Sequence, residues 1–228
     1  MPGVGPLNLS GDTLAGIFSG RIMFWNDPAV AKENPGVRLP YTDVLVVHRS
    51  DGSGTTFVFT DYLSKVSPEW KSKVGAHTTV SWPTGSGQAQ NAGVAGMVKQ
   101  TPGAIGYVEF RYALEHHIPV SRIQNRAGAF VAPTLDSLAA AAAARVRDTP
   151  ADFRALLVDA PGANAYPIAS YTWLLVPVRF NEPSKRHAML EFLSWMLAAG
   201  QADAQPLGYA TIPKAIVVLE QRQLSLIR

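Results

Sequence analysis

Val44-Leu45-Val46-Val47-His48-Arg49-Ser50-Asp51-Gly52-Ser53-Gly54-Thr55-Thr56-Phe57 is the stretch from which the rest of the chain can be read. An unbroken apolar run over Val44 to His48 predicts a buried parallel strand, because only a sheet covered on both faces tolerates such a run. An amphipathic pattern over Phe57 to Val66 predicts a helix carrying Phe57, Phe59, Leu63 and Val66. Between them lies a tight Gly/Ser turn. Strand, turn and helix start in that order aim unpaired backbone N–H groups at one point, where the helix dipole adds partial positive charge. Arg49 adds a full charge, and Ser53, Thr55 and Thr56 are expected to bring hydroxyl donors. Arg49 precedes Asp51 by two residues, so a carboxylate can hold the guanidinium in a fixed fork suited to phosphate geometry. The site suits a small, multiply charged oxyanion.

The ordinary reading of the same residues is a capped helix, with Ser53 or Thr55 as cap and Arg49 on the surface. Better-known phosphate loops do not fit. The turn lacks the Gly-Lys-Ser/Thr ending of a nucleotide-triphosphate loop and is not Gly-x-Gly-x-x-Gly. Asp51 stands two residues before Ser53, so there is no Gly-x-Ser-x-Gly nucleophile elbow.

The turn belongs to a longer pattern. Leu9-Ser10-Gly11, Ile17-Phe18-Ser19-Gly20, Trp25-Asn26-Asp27-Pro28, Asn34-Pro35-Gly36, Arg49 to Phe57, Asp61-Tyr62-Leu63, Trp82-Pro83-Thr84-Gly85, Asn91 to Ala95, Pro102 to Glu109 and Tyr166 to Pro213 follow one another in order. Nearly the whole chain resembles the phosphate-binding proteins of the high-affinity phosphate ABC transporter. The resemblance implies an α/β fold of the periplasmic-binding-protein type II, two-lobed, with mixed sheets flanked by helices. It implies phosphate contacts at Arg49, Ser53, Gly54 and Thr55, with Asp51 orienting Arg49 and limiting its charge. It also implies delivery of inorganic phosphate to ABC-transporter permease subunits, a periplasmic location for the parent, and no cofactor.

The family's N-terminal stretch has no counterpart here. With it go a Thr-Phe pair, a Ser, and an Asp that accepts from protonated phosphate and helps reject sulfate. On this resemblance the first lobe is incomplete. Residues 1–165 are expected to form the second lobe, carrying the Arg49–Thr55 loop, and residues 166–228 the C-terminal part of the first. Such a chain would be a shortened product, a piece of a split gene, or a chain cut by design. It is expected to bind phosphate weakly, and to be less stable than a complete homologue or to associate through uncovered faces.

Composition agrees with a globular α/β protein. The chain has 228 residues, 47% hydrophobic and 16% charged, with a formal net charge of +3. The basic residues are scattered without interleaved aromatics, which argues against nucleic acid. The absence of cysteine excludes disulfides and thiol catalysis. Met1-Pro2-Gly3-Val4-Gly5-Pro6 lacks the basic end and apolar centre of a signal peptide. His116-His117, the one adjacent His pair, points its rings about 100° apart on a helix, which argues against a metal site.

Further elements follow from their caps and periods. Ser10 is expected to cap a helix bearing Leu14, Ile17 and Phe18, and Asp27-Pro28 to open a short helix ending before Pro35. Pro68 should start another. Trp82 to Gly87 reads as a second Gly-rich turn before a helix over Asn91 to Lys99. It carries no cation, so a structural role is expected. Ile105 to Glu109 reads as a strand, Phe110 to His116 as a helical turn, and Leu135 to Val146 as an Ala-rich helix. Tyr171 to Val176 reads as a buried strand. Ser184 to Leu197 reads as a helix placing Met189, Phe192, Leu193 and Met196 in the core. A phosphate-ester hydrolase on the same scaffold is the alternative function. It needs a base for a nucleophile such as Ser53, and His48 on the preceding strand is poorly placed for that.

Overall fold

The computed structural model describes residues 5–228; Met1 to Val4 of the chain start lie outside the described residues. In chain order the elements are β1 (Asn8–Leu9), α1 (Gly11–Phe18), α2 (Pro28–Glu33), β2 (Leu45–Arg49), α3 (Gly54–Val66) and α4 (Pro68–Lys73). Then come β3 (Ser86–Gln88), α5 (Gln90–Gln100), β4 (Ala104–Gly106), α6 (Phe110–Glu115), β5 (Arg122–Gln124), β6 (Phe130–Val131) and α7 (Leu135–Ala144). The C-terminal part adds α8 (Pro183–Met196), α9 (Gln201–Ala204) and α10 (Lys214–Gln223).

The strands form two sheets. One is wholly parallel, in the order β3-β2-β4, with β2 central. The other has the order β1-β5-β6, in which β1 pairs parallel and β6 antiparallel with β5.

Local chemistry accounts for the helix starts. Ser10, Asp27, Ser53 and Ser67 each accept a hydrogen bond from the first turn of the helix that follows, so each supplies an acceptor for N–H groups that have no partner inside the helix. Pro28 and Pro68 stand where a missing N–H costs nothing. Thr134 and Ser137 close a reciprocal capping box on α7.

The main core joins Leu9, Ile17 and Phe18 to Phe59, Tyr62, Leu63 and Trp70. An aromatic stack leads out of it, from buried Phe59 and Tyr107 to half-buried Trp82 and His48. Phe59 lies 4.5 Å from Tyr107, Tyr107 5.6 Å from Trp82, and Trp82 4.8 Å from His48, each pair nearly parallel. A second, smaller cluster packs Ala141 and Ala142 of α7 against Leu157, Ala160, Ala165 and Ala169. Buried Asn125 stitches the chain beside it. Its amide donates to the carbonyls of Gly162, Ala163 and Ala165 at 2.9–3.1 Å, and its oxygen accepts from Ala127 and Ala129.

Several sequence expectations need correction. Tyr171 to Val176 is not a strand: Leu174 and Leu175 are exposed, Leu175 at 97%. A strand exists only by pairing, and among the described residues no strand lies alongside this segment to receive its backbone groups. In α8 only Leu193 is fully buried, while Phe192 and Trp195 are half exposed and Met189 and Met196 partly covered. Helical spacing there reported amphipathicity without a packed neighbour to make it core. β2 begins one residue late, and Leu45 is 44% exposed at its open end.

The second Gly-rich turn ends as strand β3, since Gly87 pairs with His48. Gly85 adopts a φ of +108°, and a Cβ there would meet Val46 O at 2.6 Å, so the glycine serves the turn's geometry. The strand expected over Ile105 to Glu109 is confined to β4, after which Tyr107 leaves the sheet.

Asn125→Ala should lower the unfolding free energy by about 3 kcal/mol, because it leaves buried backbone groups without partners. Urea titration measures this, and a loss below about 1 kcal/mol would contradict the account.

Candidate functional site

The site forms where the parallel sheet ends. In open α/β sheets ligands gather at the carboxyl ends of the strands. Register here puts Arg49 of β2 opposite Gln88 of β3, and Val47 opposite Gly106 of β4. The residues leaving those three ends therefore meet: Arg49 and the turn after it, Gln90 and Asn91 after β3, and Tyr107 after β4.

Arg49 is nearly buried, its side chain 9% exposed, so the surface position of the ordinary reading is not what forms. Its Nε donates to Asp51 Oδ1 at 2.8 Å and its Nη2 to Asp51 Oδ2 at 2.5 Å. Nη1 donates to Asn91 Oδ1 at 3.0 Å. The fork expected from the two-residue spacing is therefore made. Asp51 Oδ1 also accepts from the Gln90 N–H at 3.0 Å. The Arg49 hydrogen bond first, and the Gln90 N–H second, hold the Asp51 carboxyl well below the usual carboxylate range. Reciprocally, the Asp51 hydrogen bond raises the Arg49 pKa.

Ser53 is the helix cap. Its Oγ accepts from the N–H groups of Thr55 (3.1 Å) and Thr56 (3.3 Å), and its own N–H donates to Thr78 O. The hydroxyl proton of Ser53 remains available to donate. The Gly54 N–H and the Thr55 hydroxyl make no hydrogen bond to another described residue, and Gly54 is exposed with Thr55 half-buried.

Thr56, expected to add a hydroxyl donor, is turned away. It is 1% exposed, with its Oγ1 2.7 Å from Tyr107 Oη. The helical period explains this: Thr56 and Thr60 lie on the face of α3 that also buries Phe59 and Leu63. Tyr107 Oη in turn accepts from the Arg49 N–H at 3.1 Å, fastening strand end to helix. Burial raises the Tyr107 pKa, so its hydroxyl stays protonated.

Gly54 and Thr55 lie on the wall of an open cleft of about 1830 Å³ that continues past Phe57, Tyr107, Glu109 and Ile168. Arg49, Asp51 and Ser53 do not line it, and the Asp51 side chain is 38% exposed. The structure thus brings Arg49 to Asp51, and Ser53 to Thr55, with the Gly54–Thr55 edge facing the cleft.

Sequence reasoning missed Tyr107, Gln90 and Asn91. The rule that parallel strands deliver ligands at their carboxyl ends, applied to the residues after β3 and β4, was the signal that pointed to them. The nucleophile–base pair that the hydrolase alternative requires does not form. Ser53 Oγ makes its hydrogen bonds to α3, and His48 stacks on Trp82 with Nδ1 3.1 Å from Arg49 O. Among the described residues no group of three or more His, Asp or Glu side chains is arranged to hold a metal ion. Nor, among those residues, is any helix long and apolar enough to cross a membrane.

Because Asp51 has a lower pKa in the folded chain than in the unfolded one, its stabilisation is complete above the unfolded value and is lost as pH falls through the folded value. Asp51→Asn should therefore melt below the parent at pH 7, with the gap closing below about pH 4. A gap in melting temperature that stays constant from neutral to strongly acid pH would contradict the pairing.

Comparison with known proteins agrees with this architecture. The model of a PBP superfamily domain matches residues 1–199. A protein of Xylella fastidiosa named phosphate-binding protein PstS is 46% identical over 213 residues, covering 93% of this chain and 58% of its own length. One of the same name from Methanocaldococcus jannaschii is 42% identical over 241 residues, covering 97% of this chain and 62% of its own. The chain thus spans about three-fifths of the length of the curated relatives it matches.

Among solved structures, a high-affinity periplasmic phosphate-binding protein with phosphate bound superposes with a TM-score of 0.68 at 19% identity, covering 97% of this chain and 66% of its own. A human phosphate-binding apolipoprotein superposes with a TM-score of 0.72 at 19% identity, covering 97% and 67%. These two establish the fold, the periplasmic-binding-protein type II arrangement. The chain belongs to the PBP superfamily, and its sequence relatives within it are phosphate-binding proteins of the PstS type.

Proposed function

We propose that the chain binds inorganic phosphate as the solute-binding component of a phosphate ABC transporter, acting in the periplasm beside membrane permease subunits and catalysing no reaction. One observation carries this reading: a nearly buried guanidinium is fixed by Asp51 and Asn91 in the turn that leads into α3, whose first residues, Gly54 and Thr55, offer unengaged donors to a cleft. Preformed dipoles and a fixed cation are what a tetrahedral oxyanion requires, and a binding protein needs no nucleophile. The names of the sequence relatives, and the phosphate seen in a protein of the same fold, support it.

In this reading Arg49, Ser53, Gly54 and Thr55 contact phosphate, and Asp51 orients Arg49. Residues 1–165 form the lobe that carries this loop, and residues 166–228 return to the other.

The loop offers donors, while its one carboxylate, Asp51, is already engaged by Arg49 and Gln90. An acceptor is what separates protonated phosphate from sulfate, so sulfate is expected to compete within about tenfold. Calorimetry with both anions tests the proposal. Phosphate should bind more weakly as salt rises. Arg49→Ala should weaken binding by about 10- to 100-fold, the loss of charge-assisted hydrogen bonds, and Arg122→Ala should leave it unchanged. No binding by the parent, or equal losses in the two variants, would overturn the reading.

A further inference from the structure

Five N–H groups radiate from a guanidinium, and the three that find protein partners at Arg49 are held from two directions. Asp51 takes the Nε–H and one Nη2–H; Asn91 takes one Nη1–H. One N–H on each terminal nitrogen is left, and these are the nitrogens that can bind two oxygens of a tetrahedral anion together. Which way that pair faces depends on both anchors. Asp51 alone leaves the guanidinium able to swing with its own flexible carboxylate; Asn91, on a separate element, fixes the plane.

The corner bearing Asn91 is itself built under strain. Gln90 adopts a φ of +58°, a left-handed conformation that is costly for a non-glycine residue. In that conformation its N–H reaches Asp51 Oδ1 while the next residue turns its side chain to Arg49. Ala89 gives α5 no side-chain cap, so the Asp51 carboxylate takes the place of one by accepting from the first residue of the helix. Pairing of β3 with β2 puts Gln88 level with Arg49 and so delivers the corner to the ion pair.

We propose that the Gln90–Asn91 corner is the positioning device of the anion site: it clamps both members of the Arg49–Asp51 pair and sets the direction in which Arg49 presents its free N–H groups. Asn91 acts through Arg49 and not on the ligand. The consequence for phosphate rests on the reading proposed above; the clamp itself does not.

The test is nitrogen-15 NMR of the arginine side chains, with the Arg49 resonances assigned by their loss in Arg49→Lys. It measures rotation about the Arg49 Nε–Cζ bond, with calorimetry on the same samples. Asn91→Ala should speed that rotation about fivefold, the effect of one net hydrogen bond, and lower the melting temperature by only a few degrees. Phosphate affinity should fall about tenfold. Asn91→Asp keeps an acceptor, so the rotation should stay slow, while the added carboxylate lowers affinity further; it also replaces Asn91→Ala should that variant not fold. Unchanged rotation in Asn91→Ala, fast rotation in Asn91→Asp, or unchanged affinity of Asn91→Ala in a parent that binds would overturn the clamp. A parent that binds no phosphate while Asn91→Ala still frees the Arg49 rotation would overturn the phosphate reading and uphold the clamp.

Discussion

A guanidinium with 9% of its side chain exposed has to be met by fixed partners, because a charge taken out of water without them is strongly destabilising. That constraint organises the carboxyl end of the parallel sheet. Asp51 answers it from the turn, Asn91 from the start of α5, and the chain is routed so that both arrive at the end of β2. The ion pair is not valuable as stability alone, since buried pairs often contribute little net. Its value lies in geometry: a cation held still at the turn into a helix has less freedom to lose when an anion arrives.

The aromatic stack is the second half of that geometry. His48, Trp82, Tyr107 and Phe59 lie face to face through the core, and Tyr107 carries the only polar group of the stack that reaches both the Arg49 N–H and Thr56 Oγ1. A hydrophobic layer thus sets the distance between the strand that bears the cation and the helix that bears the dipole. Packing helps keep the two in register.

Much of this was legible in the residues because it is local. Caps at Ser10, Asp27, Ser53 and Ser67, the prolines at helix starts, and the two-residue Arg49–Asp51 fork all follow from neighbours in sequence. What was not legible depends on distant partners. The spacing of α8 spoke for an apolar face, yet Phe192 and Trp195 stand half exposed. Tyr171 to Val176 is rich in strand-favouring residues, yet among the described residues no strand lies beside it. Thr56 looked like a ligand donor until the helix phase assigned it to Tyr107, and Asn91 looked like an ordinary helix residue until the sheet register brought it to Arg49.

The central claim, that Arg49 and the α3 N-terminus converge on one tetrahedral anion, is tested most directly by a crystal structure of the chain at saturating phosphate. The account predicts the anion against the Gly54 N–H and the Thr55 hydroxyl, gripped by the terminal nitrogens of Arg49, with the Asp51 and Asn91 hydrogen bonds intact. Phosphate seated elsewhere, or Arg49 released from Asp51 to reach it, would contradict the account.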